Sequence, residues 1–270
     1  EAQAGKPDGS EPKIKVSELV SKMAFYYEKI RNTVDYKEEH LLRKNAIERI
    51  LKRQIMIEGV ISLKRADSQE IARHLLTELI RATYLPNNTI PERKISEIGQ
   101  VVEKYLQLKK NIYNLHRSKE AKERSEMINW VIALMASDIE ERLGRSAVDR
   151  KVIDYMYDVL DQKIEVPEEV GYVQDREIQI FVGIHRNYFK FDQDMIGFIL
   201  FKYYNPEWQE PSPEDIKKMA RNIWRIRKAI DFQLDHPLAG QMNRVISLYT
   251  VFFTILTDVI SQEPEAVYRG

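Results

Sequence analysis

The chain of 270 residues contains no cysteine. Its absence excludes disulfide staples, thiolate metal sites and cysteine nucleophiles. A cysteine-free chain suits a reducing compartment, and a cytoplasmic location is the expectation. Glycine is scarce as well: three of the ten glycines, Gly5, Gly9 and Gly270, lie at the chain ends, which leaves little material for a phosphate-cradling loop. No serine stands in a GxSxG elbow. The five histidines, His40, His74, His116, His185 and His236, show no pair at zinc spacing and no HExxH helix. Each reads as structural, and His236, placed after Asp235 and before Pro237, reads as a helix-end cap. No cofactor is expected.

Net charge is missing too. Forty-two Lys and Arg balance forty-two Asp and Glu, so no global field recruits nucleic acid or an anionic membrane, and electrostatic binding must come from a local patch. Long hydrophobic runs are also absent. The longest uncharged stretch, VISLYTVFFTILT at 245–257, is closed by Arg244 and Asp258. At about 1.5 Å per residue it extends only about 20 Å, short of the roughly 30 Å of a bilayer core. No transmembrane segment is therefore expected, and a helix this apolar is predicted to be buried on nearly all sides within a globular protein.

What the sequence holds in quantity is helix. With 43% apolar residues the chain can bury a sizeable core, and apolar positions recur at spacings of three and four, as in Ile47, Ile50, Leu51, Ile57 and Ile61. Capping-box pairs stand at Asp67/Glu70, Thr89/Glu92, Ser146/Asp149 and Ser212/Asp215, and Gly144 reads as a stop. Helices are predicted near 15–33, 36–63, 68–84, 91–115, 119–143, 147–164, 176–189, 193–204, 213–235 and 239–261. Only 178–184 resists, because Ile178, Ile180, Val182 and Ile184 alternate as in a strand; Ile178, Phe181, Val182, His185 and Phe189 also fit a helix, which is the reading kept. The expected architecture is an all-α, multi-helix bundle of about ten helices around a buried C-terminal apolar helix. A flexible linker over 1–14 precedes one all-α domain over 15–262, with a subdomain boundary near 166–175 or 205–213 as an option and a C-terminal tail over 263–270. The polar start EAQAGKPDGSEPK reads as a linker, so the chain reads as part of a longer protein.

Three patterns carry candidate chemistry. On 213–235, Ile216, Met219, Ala220, Ile223, Ile226, Ile230 and Leu234 share one side of the helix. Lys217, Lys218, Arg221, Arg225 and Lys228 fall within about 100° on the other, with Trp224 beside them. Such an arc suits phosphates, and the ring suits a base, so binding of RNA or single-stranded DNA is one reading; a solvated face on a core helix is the plainer one. A second basic cluster, Arg43, Lys44, Arg49, Lys52 and Arg53, is interrupted by Glu48. Asp154, Asp158 and Asp161, at spacings of four and three, stack on one helix face and offer oxygens to Mg²⁺, which makes an all-α hydrolase the third reading. The turn near Gly144 leaves Asp138 of the preceding helix about 9 Å out of reach of Asp158, so an acidic surface stripe is the plainer account. Gly183 and Gly197 lie inside predicted helices, where each costs about 1 kcal/mol relative to alanine unless a close helix contact offsets it.

The leading expectation is a non-catalytic interaction or scaffolding module whose partner is another protein or flanking domains of the same chain. Nucleic-acid binding stands second, and Mg-dependent hydrolysis third.

Overall fold

The computed structural model describes residues 12–14, 39–58, 67–144 and 147–262. Among them the fold is all-α, with nine α-helices and no strand. The helix expected over 15–33, residue Ser146 of one expected cap, and the tail 263–270 lie outside the described residues. The chain divides into two compact units, 1–107 and 108–270. The division falls within the helix Arg93–Leu115; the stretches 166–175 and 205–213 connect helices inside the second unit.

In the first unit, α1 (Glu39–Lys52) runs into a π-helical turn over Arg53–Glu58. It packs on α2 (Ser68–Arg81). Their apolar stripes repeat at helical spacing: Ala46, Ile47, Ile50 and Leu51 are buried on α1, and Ile71, Ala72, Leu75, Leu76, Leu79 and Ile80 on α2. Asp67 caps α2 by accepting from the Gln69 amide at 2.9 Å. Thr89 does not cap α3 (Arg93–Leu115): its hydroxyl donates to the Pro86 carbonyl, and the helix starts one residue beyond Glu92. Residues 12–14, expected as the end of the linker, pair with the segment before α3. The Ile14 amide donates to the Ile90 carbonyl, Asn88 to Ile14, and Glu92 to Pro12.

The second unit holds α4 (Ala121–Gly144), α5 (Ala147–Asp161), α6 (Arg176–Asn187), α7 (Gln193–Tyr204), α8 (Pro213–Leu234) and α9 (Ala239–Gln262). The alternating stretch 178–184 is helix. Ile180 and Ile184 enter one core with Ile153, Met156 and Leu160 of α5 and with Met242 and Ile246 of α9, which a strand's two-residue period cannot arrange. Ser212 and Asp215 form the expected capping box of α8: the Asp215 amide donates to Ser212 Oγ at 3.2 Å, and the Ser212 amide donates to Asp215 Oδ2 at 3.0 Å. The α7 helix packs on both α4 and α8. Fully buried Trp208, just after α7, meets Phe201 edge-on with ring centroids 5.2 Å apart.

The apolar helix α9 is buried along one face, through Met242, Ile246 and Thr250. The helix enclosed on nearly every side is α4, where 127, 128 and 131–140 are buried. Ser137, Asp138 and Glu140 are among those residues. Asp138 there accepts from Arg142 at 2.9 Å, so a local ion pair lets a charged residue share a core helix. Gly183 brings α6 against α9: a Cβ at that position would stand 2.2 Å from Ile246 Cδ1. Gly197 is under less constraint, with 3.7 Å to Ile230 Cγ2.

Candidate functional site

The acidic set on α5 separates. Asp154 and Asp158 line an open cleft of about 420 Å³ between α5, α6 and α7, and Glu177 of α6 joins them. Ile153, Phe181 and Leu200 supply an apolar lining, and Tyr157 and Tyr203 supply phenols. Asp161 is engaged elsewhere. It accepts from Arg176 Nη1 at 2.7 Å, while the same guanidinium donates to the carbonyls of Ile164 and Asp161. Among the described residues no group of three or more His, Asp or Glu side chains could hold a metal ion, which leaves the magnesium-dependent reading without a ligand set there. Asp138 pairs with Arg142 and Glu141 with Lys202. Burial pushes the Tyr157 phenol above its ordinary pKa, and the charges of Glu177 and Asp161 add to the shift while Arg176 opposes it. A negative cleft with aromatic and aliphatic walls can accept a cation that carries an apolar body.

The basic arc of α8 is exposed but partly answered by its own helix. Lys217 lies 3.8 Å and Arg221 3.5 Å from Glu214. Trp224 is tilted against His116 with centroids 4.5 Å apart, and Lys119 stands over its ring at 5.7 Å. The indole is therefore already in contact with two neighbours. Lys218 and Arg225 line a second cleft, about 350 Å³, with Tyr204 and Asn222. Arg43 and Lys52 of the other basic cluster pair with Glu39 and Glu48 along α1.

On α9, Val245, Leu248, Val251, Phe252 and Ile255 are between 40% and 71% exposed. At 100° per residue, 245, 248, 252 and 255 fall within about 80° of one another. Their spacings of three, four and three are those of a heptad seam. The opposite face carries Met242, Ile246, Tyr249 and Phe253 into the core with α5 and α6. Both faces are apolar, so the helix reads as uniformly greasy although it has an inside and an outside.

A buried polar chain escaped the sequence reading. Gln233 of α8 occupies a buried place on the apolar face, where Gln179 Nε2 donates to its side-chain oxygen at 2.8 Å and to its carbonyl at 3.0 Å. Its own amide donates to Asp175 Oδ1 at 2.8 Å. His236 closes the chain: Nδ1 accepts from the Leu238 amide, and Nε2 lies 3.4 Å from Asp175 Oδ2. The histidine thus caps the turn into α9 rather than the end of α8. Only the proximity of Asp235, His236 and Pro237 in sequence signals it.

Compared with protein-family models, with curated proteins and with solved structures, the chain matches none of them. Among the described residues no helix is long and apolar enough to cross a membrane.

Proposed function

We propose that this chain is a non-catalytic helical interaction module whose working surface is the outer face of α9. The observation that carries the reading is the row of five large apolar side chains left exposed on one helix. Contiguous apolar surface of several hundred Å² is uncommon on monomers and marks interaction sites. The test is a photocrosslinking amino acid in place of Phe252, with the same group in place of Lys228 on α8 as control, in cells that express the chain. Discrete adducts from position 252 and none from 228 are expected. Equal or absent labelling at the two positions would defeat the reading.

A second reading, binding of RNA or single-stranded DNA along α8, is favoured by the cleft in which Lys218 and Arg225 stand beside Tyr204. It requires affinity that falls steeply between about 50 and 200 mM salt and that is lost when Lys217, Arg221 and Arg225 become Glu. Fluorescence anisotropy with labelled single strands decides it, and salt-insensitive or absent binding removes it.

A further inference from the structure

We infer that the face of α9 pairs with a second copy of itself, as an antiparallel two-helix seam across a two-fold axis. This inference rests on the interaction reading above and names its partner. The seam positions Val245, Leu248, Phe252 and Ile255 are symmetric about residue 250. Aligned antiparallel, Leu248 meets the partner's Phe252 and Val245 meets the partner's Ile255, and each contact occurs twice, as a closed two-fold interface requires. A knob at each of these positions then enters a hole on the facing helix.

Side-chain volume selects this direction. The antiparallel arrangement matches a large ring with a medium side chain in the central layers, where a parallel pair would stack Phe252 on the partner's Phe252 and leave two valines facing each other.

Area is sufficient for a stable pair. With aromatic side chains offering 150–250 Å² each and aliphatic ones somewhat less, the exposed fractions of Val245, Leu248, Val251, Phe252 and Ile255 amount to about 500 Å² of apolar surface. Homodimer interfaces are roughly 65% apolar, so this corresponds to about 750 Å² per copy, near the roughly 800 Å² of a standard interface. A membrane surface fits less well, because interfacial helices carry Lys and Arg along the polar face and α9 has one arginine.

The experiment uses the whole chain in sedimentation equilibrium, from about 1 to 500 μM. A concentration-dependent dimer is expected. Phe252→Glu and Leu248→Glu should abolish it with unchanged circular dichroism, and Leu42→Glu, at an exposed apolar position of α1, should leave it intact. The absence of native cysteine permits a register test, because a disulfide needs Cα atoms within about 7 Å. A tagged Leu248→Cys chain mixed with an untagged Phe252→Cys chain should give the mixed disulfide in preference to the Phe252→Cys homodisulfide. A monomer throughout the concentration range overturns the inference, as does a predominant Phe252→Cys homodisulfide. If the wild-type chain is monomeric and binds vesicles of neutral or anionic lipid through Phe252, the inference also falls. The photocrosslinker at position 252 separates the two failures: an adduct of the mass of two chains supports self-pairing. Adducts of other masses alone keep the interaction reading and reject this partner, and no adduct rejects both.

Discussion

Replacing Gly183 by alanine should destabilise the second unit, and trimming Ile246 should repair the damage. The added Cβ would meet Ile246 Cδ1 at 2.2 Å, with Cγ1 at 3.5 Å and Cβ at 3.9 Å. Only the terminal methyl is in the way. Alanine gains about 1 kcal/mol over glycine in a helix interior, but overpacking a filled core costs about 1–3 kcal/mol, and Ile246 is completely buried. A net loss of about 1 kcal/mol follows for Gly183→Ala. Ile246→Val removes Cδ1 and should cost about 1 kcal/mol by itself. In the double variant the alanine methyl occupies the vacated space and the helix keeps its propensity gain, so stability should return to within about 0.5 kcal/mol of the starting chain. The expected coupling is thus about 1.5–2 kcal/mol, read from urea unfolding of all four proteins at a common m-value. If the losses simply add, Gly183 is not held by the close approach of α6 and α9, and the reasoning fails.

Three further outcomes are expected. Arg176→Ala removes the fork that ties Asp161 and the Ile164 carbonyl and should cost about 2 kcal/mol in urea unfolding, with Arg176→Lys recovering only part because an ammonium cannot make both contacts. Hydrogen bonds from the Ser212 hydroxyl and amide hold the Asp215 carboxyl below its ordinary pKa. Ser212→Ala should therefore raise that pKa in a carbon-detected NMR titration. The sign for this depressed group is that its contribution to stability is present above the ordinary carboxylate range and lost as pH falls through the folded pKa. Burial raises the Tyr157 phenol, and it raises Tyr204 against an opposing hydrogen bond with Gln233. Both phenols hold their protons more tightly folded than unfolded, so their contribution is intact below about pH 10 and declines as pH rises toward the folded values. The urea midpoint should drop between about pH 9 and 11, and drop less when both tyrosines are replaced by Phe.

The helices were legible because their ends are written locally. Ser212 and Asp215 open α8 three residues apart, and Gly144 closes α4, so neither required knowledge of the fold. Location in the core was less legible. Val245 and Ile246 are chemically alike, yet Ile246 is completely buried and Val245 is 40% exposed; with apolar residues on both faces, composition offers no contrast to tell in from out. Conversely, Asp138 and Glu140 are buried on α4, and a sequence does not announce that Asp138 is paired within its own helix by Arg142. The acidic set shows the same limit. Asp154 and Asp158 stay together because one helix carries both, whereas Asp161 answers Arg176, fifteen residues away across a connection whose path depends on tertiary packing. The Thr89 cap failed for a nearer reason: the hydroxyl found a carbonyl in its own turn, the competition that makes threonine common in turns as well as at helix starts.

The chain of Gln179, Gln233, Asp175 and His236 has a bearing on uniqueness. Greasy helix faces tolerate sliding, since one aliphatic ridge can settle into a neighbouring groove at little expense. An amide cannot. Moving α8 along α6 by one turn, about 5.4 Å, would strip the buried Gln179 and Gln233 amides of their partners, and each stranded polar group would cost about 1–3 kcal/mol. The four side chains therefore act as a vernier for the second unit: they add little to how firmly α6 and α8 adhere, and they fix the single alignment at which the two helices can do so.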